Sequence, residues 1–203
     1  ELVAQLAQVE LCARSFGLHA FAVAGAEADD LIASYAAAAV GDSLVTVVSP
    51  DKDLLQLVSP SCRVYHPITR KWLGEEEVRA RFGVDPQRVA DVQALSGDTT
   101  DNVRGVEGVG PRTAAKLIQQ FGSLDSMMNR LDEITNERLR CKLMDAGGRE
   151  AVQRARQLVS LKRDLLLPIP LQQLVWKGID QRRLQAFLEV TFLCFFFFFF
   201  FFF

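Results

Sequence analysis

The sequence lacks the cysteine patterns that hold zinc or staple a small fold. Its four cysteines, Cys12, Cys62, Cys141 and Cys194, lie far apart, with no C-x-x-C pair among them. That spacing argues against a zinc ribbon and a disulfide framework, and for a reducing compartment. Histidine is scarce: His19 and His66 are isolated and read as structural. No stretch offers the ~20 apolar residues that span a bilayer; the run from Phe187 to Phe203 is shorter and is interrupted by Glu189. No N-terminal signal peptide is visible, so the expected location is the bacterial cytoplasm or, in a eukaryote, an organelle. An initiator Met is missing as well. The chain opens in mid-helix at Glu1-Leu-Val-Ala-Gln-Leu6, and the expectation is a fragment. Nine consecutive Phe, 195–203, have no amphipathic pattern. They are read as translation through a homopolymeric nucleotide tract and set aside.

An excess of positive charge is also missing. The net charge over 203 residues is −2, which taken alone argues against a nucleic-acid partner. Distribution matters more than the sum. Seven acids, Glu27, Asp29, Asp30, Asp51, Asp53, Asp98 and Asp101, fall in three clusters. Set aside, they leave 18 acids against 23 bases, so metal binding at the clusters would leave a mildly basic surface.

What is present is hydrophobic patterning, with 49% apolar residues. Leu2, Leu6, Val9 and Ala13 recur at helical spacing, and Gly17 closes that helix. Ala20-Phe-Ala-Val-Ala24 reads as a buried strand, residues 29–40 as an Ala-rich helix and Leu44-Val-Thr-Val-Val48 as the strongest strand. Ser49-Pro50 breaks that strand before a short helix from Lys52 to Val58. Cys62-Arg-Val-Tyr-His66 is a third strand, continued as a hairpin over Ile68 to Trp72. Alternating strands and helices imply a parallel α/β sheet, whose functional groups gather beyond the strand carboxyl ends. Glu27, Asp29 and Asp30 follow the first strand; Asp51 and Asp53 follow the second. From Gly74 the pattern turns helical, with an N-cap at Asp85-Pro86 opening a helix to about Leu95. Further helices are expected over 112–121, 123–130, 136–145, 149–161 and 180–190.

The stretch Gly97-Asp-Thr-Thr-Asp-Asn-Val-Arg-Gly-Val-Glu-Gly-Val-Gly110 joins two devices. Asp98 and Asp101 offer two carboxylates close enough to share a hard cation. Gly105, Gly108 and Gly110 form a hairpin whose N–H groups can approach an anion. Pro111 opens the next helix, with Arg112, Thr113 and Lys116 on its first turns. A Gly-rich hairpin entering a helix N-terminus beside basic residues is a phosphate-holding device. Alone, the glycines read equally well as ordinary turn residues, and Asp98 with Asp101 reads better as a solvated, capping turn. Together with the upstream acids they favour Mg²⁺ or Mn²⁺, phosphodiester hydrolysis and a nucleic-acid substrate.

Glu27-Ala-Asp-Asp30, Ser49-Pro-Asp-Lys-Asp53, Gly97-Asp-Thr-Thr-Asp101 and Gly105-Val-Glu-Gly-Val-Gly110, in this order and spacing, resemble the 5′-nuclease family. The nearest likeness is to the 5′–3′ exonuclease domain of bacterial-type DNA polymerase I, related to flap endonucleases, over about residues 1–190. The resemblance implies a PIN-like parallel-sheet α/β nuclease core over residues 1–73. An all-helical helix-hairpin-helix DNA-binding region follows over 74–190, and a poly-Phe tail over 191–203. It implies metal-dependent 5′–3′ exonuclease or 5′-flap endonuclease action on DNA in replication and repair. Glu27, Asp29 and Asp30 then lie on the first-metal side of a two-metal Mg²⁺ or Mn²⁺ site, and Asp51, Asp53, Asp98 and Asp101 around the second metal. Arg104, Gly105, Gly108, Gly110, Arg112, Thr113 and Lys116 form the DNA clamp, whose carbonyls hold K⁺. The implied partner is flapped, nicked or branched DNA without sequence preference, and a DNA polymerase, fused or separate. Three departures stand out: the family's opening strand with its Asp, its helical arch, and Pro where this chain has Arg104. Two other readings stay open, a catalytically degenerate DNA-binding remnant and a PIN-like ribonuclease.

Overall fold

The computed structural model describes residues 2–39, 41 and 43–189; the poly-Phe run and Cys194 lie outside them. The chain divides into two compact units: the described residues of Glu1–Ala26 with Leu167–Phe203, and Glu27–Leu166. In the first unit, helix α1 (Leu2–Ser15) ends where Gly17 takes the left-handed conformation, φ +75°. The Trp176 indole donates to Phe16 O at 3.0 Å, and Arg14 donates to Glu10 and to Ala20 O. Residues 181–189 are helical.

The second unit carries the sheet and the helical layer. Helix α2 (Ala28–Ala38) buries Leu31, Ala33, Ser34 and Ala36. Strand β1 (Val45–Val48) pairs in parallel with β2 (Cys62–His66), in the register Val45–Cys62 to Val48–Tyr65. The short β3 (Lys71–Leu73) closes the sheet antiparallel to β2. A 3-10 turn, Asp53–Leu57, takes the place of the expected helix after β1 and buries Leu54, Leu55, Gln56 and Leu57. The expected strand over Ala20–Ala24 does not form; those residues carry no regular structure and are half-buried or exposed. Three of the five are alanine, which has low strand propensity, and β1 has no ladder partner on its other side among the described residues.

Helix α3 (Glu75–Phe82) stops at Gly83, φ +74°. The expected helix from Asp85 divides into a 3-10 turn, Pro86–Arg88, and α4 (Val89–Ser96). Asp85 caps nothing; its carboxylate accepts from Arg79 at 2.5 Å. Helix α4 is the hub. It packs against the 3-10 turn Asp53–Leu57, α5 (Pro111–Phe121) and α8 (Ala146–Val159). Val89, Val92, Ala94 and Leu95 are its apolar contribution to the core. Between α4 and α5 lies the hairpin of β4 (Gly97–Asp98) and β5 (Val103–Arg104). Helices α6 (Leu124–Met128), α7 (Glu137–Met144) and α8 start on side-chain caps from Ser123, Asn136 and Asp145.

One charge sits deep in this layer. Asp91 is 2% exposed and faces Arg156 at 3.4 Å and Arg88 at 3.6 Å, while accepting from Leu124 N at 3.1 Å. It thereby ties α4 to α6 and α8. Removing a buried partner strands the remaining charges and N–H, so Asp91→Ala is expected to cost about 2–3 kcal/mol. Urea unfolding of the two proteins measures it; a difference below about 0.5 kcal/mol would show that α6 and α8 hold without this anchor.

Candidate metal centre and nucleic-acid interface

The break after β1 builds the first half of the site. Asp51 N donates to Ser49 Oγ at 3.1 Å, and Asp53 N donates to Asp51 Oδ1 at 2.9 Å. These two nested side-chain turns fix the backbone of Ser49-Pro-Asp-Lys-Asp53. The second half comes from the end of α4. Gly97, at φ +75°, reverses the chain so that Asp98 enters β4 beside the turn. Asp53, Asp98 and Asp101 then bring ligand oxygens within 4.8 Å of one another. An all-oxygen donor set of this kind suits a hard divalent cation.

Neutral and cationic donors hold the acids in place. Gln93, on α4, donates to Asp53 Oδ1 at 2.5 Å and to Asp98 Oδ2 at 3.0 Å. Lys52 Nζ lies 2.5 Å from Asp98 Oδ1 and 3.0 Å from Thr100 Oγ1, and Thr100 N donates to Asp98 Oδ1 at 3.0 Å. Burial pushes the Asp98 carboxyl up, yet the hydrogen bonds from Lys52, Gln93 and Thr100 outweigh it and hold it below its ordinary value. Asp53 goes the other way. Its burial and the charges of Asp51 and Asp98 raise it against the Gln93 bond and the Lys52 charge.

The acids at the start of α2 divide. Asp29 faces Asp51 and Asp53 electrostatically, so α2 joins the site without the expected strand before it. Asp30 turns inward, 8% exposed, accepting from Lys162 N at 2.9 Å with Lys162 Nζ at 3.5 Å. Glu27 is exposed at the N-cap and makes no capping bond. Of the seven acids, three converge, Asp29 and Asp51 flank them, and Asp30 and Glu27 stand apart. Lys52 and Thr100, which lie inside the acidic motifs but are not among the residues those motifs mark, belong to the site, and so does Gln93, which lies outside them. The one signal is Gln93 as a polar residue within the apolar run Val92-Gln-Ala-Leu95.

The hairpin sorts its glycines by different physics. Gly105 is needed for close packing: a Cβ there would lie 2.1 Å from Gly97 N. Gly108 has φ +85°. Gly110 has an ordinary extended backbone, φ −86°, with open space where a Cβ would stand, so it does not share the left-handed requirement. Val106 N and Val109 N are used within the fold, on Leu95 O and Val106 O. The N–H groups of Gly108 and Gly110 meet no acceptor among the described residues. The first N–H groups of α5, at Arg112 and Thr113, are free as at any helix start. Arg104, Arg112, Thr113 and Lys116 are exposed, and the three cations have no ion-pair partner among the described residues. This is an anion-ready surface.

Known proteins resemble the chain along most of its length. Residues 1–83 match the family model for the 5′-3′ exonuclease N-terminal resolvase-like domain, and residues 84–182 that for the 5′-3′ exonuclease C-terminal SAM fold. DNA polymerase I of Rhizobium leguminosarum is 38% identical over 191 residues, 93% of this chain and 18% of the relative. Flap endonuclease Xni of Serratia proteamaculans is 37% identical over 171 residues, 84% of this chain and 67% of the relative. The chain therefore spans less than a fifth of that polymerase and about two thirds of the flap endonuclease. T5 5′-exonuclease, solved with bound divalent metal ions (zinc), superposes with a TM-score of 0.63 at 24% identity over 83% of this chain and 60% of that one, a likeness of fold.

Burial, then the charges of Asp51, Asp53, Asp30 and Glu27, push the Asp29 carboxyl from 3.8 up to about 6. An acid raised on folding favours the folded state while protonated. That contribution is full below 3.8 and is lost as pH rises through about 6. Metal-free protein is therefore expected to lose thermal stability across this interval. Asp29→Asn should flatten the curve and melt higher at neutral pH in chelator. An unchanged slope in the variant would assign the pH dependence to another group.

Proposed function

The chain belongs to the 5′–3′ exonuclease family, and from that premise we propose that it is the nuclease portion of a metal-dependent enzyme that hydrolyses phosphodiester bonds in DNA bearing a free 5′ end or flap. The observation that carries the reading is the convergence of Asp53, Asp98 and Asp101 at the base of the hairpin that leads to α5. The proposed ions are Mg²⁺ or Mn²⁺, held by Asp53, Asp98 and Asp101 with Asp29 and Asp51 beside them. Bound there, such an ion supplies charge for an attacking water and a leaving oxygen. The chain's own part is to hold the acids at fixed spacing and seat the DNA backbone. The N–H groups of Gly108, Gly110, Arg112 and Thr113, with Arg104, Arg112 and Lys116, would take phosphates, which position without reading sequence. The hairpin carbonyls would take a monovalent cation such as K⁺. Free thiols at Cys12, Cys62 and Cys141 fit the proposed reducing, cytoplasmic setting. A degenerate DNA-binding role is the second reading. It is favoured by Asp30 and Asp98 already having lysine partners.

The activity test is hydrolysis of a 5′-flapped duplex in Mg²⁺ or Mn²⁺. Asp53→Ala and Asp101→Ala are each expected to slow it about a hundredfold or more, because even outer partners of a metal cost 10- to 100-fold. Duplex binding in chelator should survive both changes. Cleavage unaffected by either change would remove these acids from the reaction, and no cleavage by the unaltered chain would leave the binding reading.

The clamp has its own test. Gly108→Val forces a β-branched residue to φ +85° and should weaken duplex binding with some loss of stability. Gly110→Ala fits its backbone, so its melting temperature should stay unchanged, and any lost affinity there reports the approach of DNA. Affinity should fall steeply with salt as counterions are released. Binding indifferent to salt or selective for sequence would count against a phosphate clamp.

A further inference from the structure

Gln93 does more than fill space in α4. Its side chain is buried, with 4% of the residue exposed, and both protons of its amide are committed, one to Asp53 and one to Asp98. The amide cannot be turned round. With its oxygen toward two carboxylates it would meet only acceptors, whereas the observed orientation places Oε1 at 3.4 Å from Gln56 Nε2. Gln56 is itself buried and donates to Val159 O on α8 at 2.7 Å, while its backbone carbonyl accepts from Arg163 at 2.8 Å. A chain of buried amides thus runs from the end of α8 to the two acids. Of the two acids Lys52 donates only to Asp98, and no side chain among the described residues other than Gln93 donates to Asp53.

We propose that Gln93 is a positioning residue for the divalent-ion site, bridging Asp53 and Asp98 so that Asp53 Oδ2 and the second lone pair of Asp98 Oδ2 stand ready for an ion. It rests on the reading of these acids as a metal centre. Two carboxylates at this distance repel, and without a bridge they would swing apart toward solvent whenever the ion left. Held by one amide, they meet the incoming ion with little rearrangement. Gln56 sets the torsion of that amide, as outer partners commonly set the ligands of a metal.

The test is titration of Mn²⁺ alone into the chain, followed calorimetrically. Gln93→Met keeps the volume and removes both donors, and is expected to weaken Mn²⁺ binding about tenfold. Gln56→Met keeps Gln93 but releases its orientation, and should weaken binding about threefold; it also carries the test if Gln93→Met does not fold. Combined with Asp53→Asn, Gln93→Met should add much less than its own effect, because it acts through that carboxylate. A purely packing role would add in full. Circular dichroism and metal-free duplex binding should match the unaltered chain. Unaltered Mn²⁺ affinity in Gln93→Met would overturn the proposal and leave the metal centre standing. Failure of the unaltered chain to bind Mn²⁺ at all would overturn both.

Discussion

Mutual repulsion among carboxylates is the constraint on which this structure turns. At a separation of no more than 4.8 Å, two full charges in a medium of effective dielectric about 20 oppose each other by about 3 kcal/mol or more. Such an arrangement persists only if the surrounding structure fixes it. Here the fixing is divided among unlike groups. A cation, Lys52, faces Asp98; a neutral amide, Gln93, faces both Asp98 and Asp53; backbone N–H groups complete the set at Asp51 and Asp98. Asp29 has no such donor among the described residues, and its carboxyl rises furthest. The site is therefore polarised even before any ion enters. Asp98 is held charged, while Asp29 and Asp53 take protons more readily than an ordinary carboxylate.

The same constraint explains why α4 is the hub. A helix whose buried face were wholly apolar would pack as well and hold nothing. Asp91 and Gln93 break that face on purpose, and each is fully satisfied: Asp91 by two arginines and an N–H, Gln93 by two acids and a glutamine. No described buried side-chain polar atom is left without a partner. A polar network of this completeness makes the core specific, because any slip of α4 would strand several groups at once.

The motifs themselves were legible without coordinates. Clustered Asp residues, a Gly-rich turn and a Pro at a helix start have local causes that survive any tertiary context, and β1, β2 and α5 formed where patterning placed them. What could not be read has non-local causes. The run at Ala20–Ala24 looks like a strand by apolarity, yet strand formation needs a partner, and none lies beside it among the described residues. Asp30 belongs to the same sequence cluster as Asp29, but one residue along a helix is a 100° rotation, which sends it to Lys162 instead. Gln93 and Lys52 matter only because the chain folds Asp53 and Asp98 together.

Gly97 links the two halves of the site. Its left-handed backbone ends α4, turns Asp98 toward Gln93, and lets Gly105 pass so closely that neither position has room for a side chain. Asp98 and Arg104 therefore stand on paired strands of one short ladder, one directed to the acidic cluster and the other exposed at the clamp. A phosphate drawn to the clamp and an ion drawn to the cluster would each load the same ladder. Displacement of β5 would have to move β4, and with it the Asp98 bonds to Lys52 and Gln93. Such a ladder couples the backbone seat to the acids, as the proposed nuclease reading needs, because a misplaced reacting group costs rate.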